Sequence, residues 1–379
     1  MNRSLQALLE QARKQKASDI HISENAPVSF RVHGKLITEG ETLTQDEVRS
    51  LFLGLTSQYQ EPEKTEAKAH TSLPETQLQQ TLDSHGSVDF GYTCEQGHRY
   101  RINAYQCLGS LAIALRHLNN NFQSLSDLHL PRAIENLTET LSGLVLVCGA
   151  TGSGKSTTLA SLIHDIAHKR PVHIITIEDP VEFIHRPSKA VIHQREMGRD
   201  FTEFPHAVRA ALREDPDVLM VGEMRDLETI RAALTAAETG HLVFSTLHTN
   251  DAVSSIERLI GAFPGNEQDL ARVRLSRCLR AVVAQHLLPT SNGLGRVPAV
   301  EVLLKNSAVS NLIENDKTRQ LYSTIESNRS QGMQTLDQSL ADLVSNRWIS
   351  LELAQSYARQ PNTLKELVAQ VGGQSSVYQ

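Results

Sequence analysis

The chain has 379 residues, of which 37 are basic and 43 acidic, for a formal net charge of −6, and 40% are hydrophobic. That length is long for one core and sets two or three domains as the expectation, while the mixed charge leaves no global footprint for nucleic acid or a membrane surface. No run approaches the roughly 18 to 20 apolar residues that span a bilayer, and Met1-Asn2-Arg3-Ser4-Leu5 leads into polar sequence rather than a signal-peptide core, so the cytoplasm is the expected location.

Residues 5 to 16 place Leu5, Leu8, Leu9 and Ala12 on one helical face. Alternation then follows at Ile20/Ile22 and Val28/Phe30/Val32, with Gly34 as a turn, which predicts a helix followed by a hairpin. Ser57 to Pro74 is rich in Gln, Glu, Lys, Thr and Pro and is expected to be a flexible surface excursion. Alternation resumes at Val88/Phe90/Tyr92, Tyr100/Ile102/Ala104 and Leu111/Ile113/Leu115, the first two runs joined by Glu95-Gln96-Gly97-His98. The first domain, residues 1–117, is therefore expected to be antiparallel α+β, with residues 118–131 as an interdomain linker.

From residue 132 to 290 short, fully apolar strands alternate with helices: Leu144–Cys148, Val172–Ile177, Val218–Val221 and Leu242–Thr246. Such runs predict an α/β core with a mainly parallel sheet covered on both faces. Residues 291–379 are expected to be helical and more polar, with Gly372 to Ser376 as a frayed tail. The cysteines, Cys94, Cys107, Cys148 and Cys278, contain no CxxC pair, which suggests neither a zinc site nor a disulfide framework; buried free thiols are expected.

The most informative segment is Gly149-Ala150-Thr151-Gly152-Ser153-Gly154-Lys155-Ser156-Thr157, a GxxxxGKS loop between an apolar strand and a helix-forming run. Its glycines let the backbone close around a β-phosphate with N–H groups inward, and the helix N-terminus adds partial positive charge. Lys155 is expected to reach the β- and γ-phosphates of ATP, and the Ser156 hydroxyl to ligate Mg²⁺. Carboxylates at other strand ends in the same sheet can orient water around the metal, and Glu178 (with Asp179) and Glu223 stand at such ends. Asp226 reads as a helix N-cap and Gly240 as the matching stop.

His248 follows the strand Leu242–Leu247, where it either senses the γ-phosphate, passes a signal between subunits, or serves structure. Arg99 and Arg101 share a strand face and Arg116 ends the next strand; they are either a solvated rim or a source of positive charge for a transferring phosphoryl group. Arg272, Arg274, Arg277 and Arg280 lack neighbouring aromatics for base stacking and point to a subunit or domain contact instead.

These residues resemble the type II/IV secretion ATPases, and within them the PilT-like pilus retraction motors. The matching segments are Gly149–Thr158 (Walker A), Ile177 to His185 (the Asp box), Ala211 to Asp217 through Gly222 to Asp226 (Walker B), and Ala237 to His241 through His248 to Asp251 (the His box). Ser18 to Ile22, Arg99 to Ala104 and Gly332 to Asp337 extend the likeness to nearly the whole chain. The resemblance implies a PAS-like N-terminal domain, a RecA-like ATPase core and a homo-hexamer with ATP bound between the domains. It implies Glu223 as the Walker B catalytic acid, Glu178 as the Asp-box acid, His248 as the His-box residue, and Arg99, Arg101 and Arg116 as the N-terminal arginines.

It further implies a peripheral position at the inner face of the inner membrane, an inner-membrane pilus platform protein as partner, and in some systems a second pilus ATPase. Pilus extension and type II secretion relatives are usually longer and carry a four-cysteine zinc motif, which favours retraction here. An accessory retraction ATPase, an assembly or secretion motor, a non-hydrolysing binding module and a DNA translocase remain as alternatives. Ala308-Val309-Ser310 departs from the Ala-Ile-Arg usual before Asn-Leu-Ile.

Overall fold

The computed structural model describes residues 4–56, 75–118, 122–186 and 188–375. It divides into two units. The excursion expected at Ser57 to Pro74 lies outside the described residues.

The first unit comprises residues 1–121, 178–184 and 194–203. Its sheet is built from β1 (Ala17–Ser23), β2 (Val28–Val32), β3 (Lys35–Glu39), β4 (Ser87–Thr93), β5 (Arg99–Cys107) and β6 (Ser110–Leu118) in the order β3-β2-β1-β6-β5-β4. The hairpin joining β4 to β5 closes as the sequence implied, with Cys94 N–H donating to the His98 carbonyl at 2.9 Å and Gly97 at φ +80°. The first helix, Leu5–Lys14, starts where the Ser4 hydroxyl accepts the Ala7 N–H, and it buries Leu8, Leu9 and Ala12. Those side chains join Ile20, Ile22, Phe30, Phe52, Ile102 and Leu115 in one core. Phe30 and Phe52 are fully buried, each worth about 2–3 kcal/mol by area, and Phe52 meets Phe90 edge-on at 6.3 Å.

The second unit holds most of a sheet of β7 (Gly143–Cys148), β8 (His173–Glu178), β9 (Val191–Glu196), β10 (Val218–Val221), β11 (Leu242–Leu247), β12 (Leu279–Pro289) and β13 (Arg296–Leu304), in the order β13-β12-β7-β11-β10-β8-β9; Glu178 and residues 194–196, at the ends of β8 and β9, are counted with the first unit. Pairings β12–β7, β7–β11, β11–β10 and β10–β8 are parallel. This is the α/β core with a mainly parallel sheet that the short apolar runs predicted. Every residue of β7, β10 and β11 is buried, as strands covered on both faces require.

Two expectations about the ends of this unit need correction. The region after residue 290 is not wholly helical, because β13 pairs antiparallel with β12 from Arg296 to Leu304. Full burial on both faces removed the two-residue alternation that would have marked it as a strand. The expected tail at Gly372 to Ser376 is helical through Ser375, as part of Pro361–Ser375. In the stretch expected to be a linker, Leu125 and Leu130 are buried in the core of the second unit. Cys107 is exposed, whereas the other three cysteines are buried.

Candidate active site

The phosphate loop leaves β7 and enters the helix Lys155–Lys169. Gly149 has φ +143°, and a Cβ there would lie 2.4 Å from the Gln285 carbonyl; Gly154 has φ +89°, and its Cβ would lie 2.7 Å from Gln285 Nε2. Glycine is therefore required at both positions by backbone and by space. Lys155 is 9% exposed, and its ammonium donates to the carbonyls of Gly149 at 2.7 Å and Ala150 at 3.0 Å. A buried cation inside a curved, glycine-lined loop suits a phosphate chain. Beside Gly154, Thr157 and Thr158 opens a cavity of about 470 Å³, walled also by Leu287, Arg296 and Trp348, a size suited to a small-molecule site.

The carboxylate of Glu223 follows β10, and both its oxygens are engaged. Oε2 accepts from Arg225 Nε at 2.7 Å, and His248 Nε2 lies 3.2 Å from Oε1. Strand β11 fixes this arrangement from the side, since the Ser245 and Thr246 hydroxyls donate to the carbonyls of Val221 and Gly222 at 2.7 and 2.6 Å. Asp226 then caps the helix Leu227–Glu238 by accepting the Thr229 N–H at 2.8 Å, the role read from its sequence position. Asp251 caps Ala252–Gly261 in the same way, which anchors the loop that begins at His248. The histidine and the acid, 25 positions apart in sequence, thus meet because adjacent parallel strands end side by side.

The remaining expected site residues belong to the first unit. Glu178 is 9% exposed, and its Oε1 accepts from Gln194 Nε2 at 3.3 Å. Arg99, 4% exposed, pairs with Glu196 and also donates to the Val181 carbonyl at 3.1 Å and the Thr93 hydroxyl at 3.1 Å. Its guanidinium lies over Gly91, where no Cβ would fit. Arg101 and Arg116 sit opposite each other across β5 and β6 and are much more exposed. Arg101 faces Asp89 at 3.5 Å, and Arg116 reaches Asp19 at 2.8 Å, where its guanidinium helps hold the Asp19 carboxyl below the usual range against the opposing effect of burial. The three arginines are thus one buried ion-paired residue and two near-surface ones.

The arginine group near residue 272 is also internally paired: Arg274 binds Glu238 through two oxygens, Arg272 binds Asp269 and Asp316, and Arg280 donates to the Ser142 carbonyl. Sequence reading missed Gln285, which lies against the phosphate loop. Its signal was an amide directly after the apolar run Ala281-Val282-Val283-Ala284. The described residues contain no cluster of three or more His, Cys, Asp or Glu able to hold a metal ion. The hard, oxygen-seeking Mg²⁺ is instead suited to the exposed Ser156 hydroxyl together with nucleotide oxygens.

A glycine-lined phosphate loop on a parallel sheet, with an acid and a histidine at neighbouring strand ends, defines a P-loop ATPase. The description "Type II/IV secretion system protein" matches residues 1–366, and the chain belongs to that family. It is 46% identical over 277 residues to the "Twitching motility protein" of Neisseria gonorrhoeae, covering 73% of this chain and 74% of that protein. It is 40% identical over 357 residues to the "Type IV pilus retractation ATPase PilT" of Pseudomonas aeruginosa, covering 93% and 98%. The crystal structure of the pilus retraction motor PilT with bound ADP superposes with a TM-score of 0.83 at 40% identity, covering 96% of this chain and 99% of that one.

Proposed function

We propose that this ATPase drives retraction of a type IV pilus, working as a homo-hexamer at the cytoplasmic face of the inner membrane. The observation that carries the reading is the near end-to-end likeness to a pilus retraction ATPase, in sequence and in fold. In this reading, as the family resemblance implies, force reaches the pilus through an inner-membrane platform protein.

In this reading the loop Gly149–Thr157 cradles the phosphates of ATP, and Lys155 exchanges its loop carbonyls for phosphate oxygens. Ser156 would hold Mg²⁺, which supplies Lewis-acid charge neutralisation when bound. Glu223 orients the attacking water and accepts its proton as the bond to phosphorus forms and the bridging P–O bond breaks. His248 and Arg225 hold that carboxylate, so the histidine positions the acid and couples its orientation to β11. Glu178 contributes a second carboxylate. Arg101 and Arg116 are the arginines free enough of burial to offset phosphoryl charge, whereas Arg99 is committed to Glu196.

A second reading, an accessory retraction ATPase working beside another motor, is favoured by Ser310. The usual arginine is absent there, and the hydroxyl donates inward to the Ser276 carbonyl at 3.1 Å. The test is pilus number and twitching in a deletion strain complemented with wild type or Lys155→Ala. Hyperpiliated, non-motile cells rescued by the wild type alone support retraction, and bald cells overturn it in favour of assembly. Loss of function restricted to strains that also lack a second motor identifies the accessory role.

A further inference from the structure

Gln285 lies on β12, one residue beyond the point where Ala284 pairs with Cys148, which places it alongside the start of the phosphate loop. It is 3% exposed. Both ends of its amide are used: Nε2 donates to the Ser153 carbonyl at 2.7 Å, and Oε1 accepts from the Thr158 hydroxyl at 2.8 Å. The amide's orientation is fixed by chemistry, because the reverse placement would set two carbonyl oxygens against each other. Its backbone carbonyl occupies the space a Cβ on Gly149 would need, and its Nε2 the space of one on Gly154. One residue therefore touches the loop at its first glycine, near its last glycine and in the first turn of the helix that follows.

Side chains alternate along a strand, so the next residue, His286, faces the other way, where its ring meets Tyr357 edge-on at 5.8 Å. Of these two neighbours on β12, Gln285 is the one turned to the phosphate loop. A loop whose N–H groups must converge on an anion binds best when its curvature is set before the ligand arrives. We infer that Gln285 is a positioning residue of the nucleotide site, clamping the loop between Ser153 and Thr158 so that its curvature is preformed for a nucleotide phosphate chain. Its neutrality is part of the role. A carboxylate in its place would keep the bond from Thr158 but face the Ser153 carbonyl and add negative charge beside the phosphates.

This inference rests on the ATPase class of the chain and not on pilus retraction. The test is titration with a fluorescent ADP analogue and steady-state ATP hydrolysis on the full chain, comparing Gln285→Met, Gln285→Glu, Thr158→Val and Thr158→Ser. The two Gln285 variants should raise the ADP Kd and the ATP KM by about tenfold or more, Glu beyond Met, with a smaller effect on kcat at saturation. Thr158→Ser should bind like wild type and Thr158→Val several-fold more weakly. Gln285→Met with a Kd within about twofold of wild type overturns the inference, even if its melting temperature falls, since that is the signature of a purely structural side chain. If the Gln285 variants fail to fold, equal ADP affinity in Thr158→Val and Thr158→Ser overturns it equally. A wild type that binds no ADP would instead remove the ATPase reading beneath it.

Discussion

Glu301 is a carboxyl 4% exposed on β13, accepting the Ala252 N–H at 2.8 Å at the start of the helix after the His248 loop. Burial, assisted by the nearby charge of Asp251 and opposed by the Ala252 hydrogen bond, pushes its pKa up from 4.5 to about 7. Below pH 4.5 the folded and unfolded chains both carry the proton, and the group contributes no pH dependence. Between pH 4.5 and about 7 the unfolded chain releases the proton while the folded protein keeps it, so stability falls as pH rises through this window. Above it the loss is complete and constant. At about 1.4 kcal/mol per pH unit, the interval corresponds to about 3 kcal/mol.

Glu301→Gln keeps an oxygen for the Ala252 N–H and cannot ionise. Denaturant unfolding of both proteins from pH 5 to pH 8 should show the variant's advantage growing with pH by about 2–3 kcal/mol, and the comparison cancels all other titrations. A stability difference that is flat across this range, or one that shrinks toward pH 8, refutes the reasoning. It would mean that Glu301 is ionised in the folded protein at pH 5.

Glu223→Gln should retain ADP binding and lower ATP turnover by about 10²-fold or more; wild-type turnover would remove it as the catalytic acid. Glu196→Ala should cost about 3–5 kcal/mol by stranding Arg99 without its buried partner, measured by denaturant unfolding, and adding Arg99→Met should recover part of it. Gly149→Ala should abolish measurable ADP binding, since its added Cβ meets the Gln285 carbonyl; an unchanged Kd would contradict the loop geometry. A thiol reagent should modify Cys107 quickly in the native protein and Cys94, Cys148 and Cys278 only on unfolding; rapid reaction at Cys148, beside the phosphate loop, would contradict its burial.

The phosphate loop was legible because its chemistry is local: a dozen consecutive residues carry the strand, the turn and the helix start. The Glu223 and Asp226 positions were legible for the same reason, an apolar strand followed by an acid and a cap. What escaped depends on partners distant in the chain. Gln285 meets Thr158 across a separation of 127 residues, so an amide in an apolar strand could be noticed but its partner could not be named from the sequence. Arg99 and Arg101 share a strand face as their spacing implied. Their surroundings differ because Glu196, 97 residues on, covers the first and leaves the second at the surface. Strand β13 was hidden by being too well buried.

The first unit takes the segments 178–184 and 194–203 from beyond the phosphate loop. A gene fragment ending at residue 121 would encode all six of its strands and most of its core, yet omit Glu196, the acid that neutralises Arg99 and accepts the Gly91 N–H. Such a fragment would carry a buried cation with no counter-charge. The first unit of this protein therefore cannot be cut out as a continuous N-terminal cassette with Arg99 still paired, unless residues 194–203 travel with it. Two cores are maintained here by one indivisible length of inheritance.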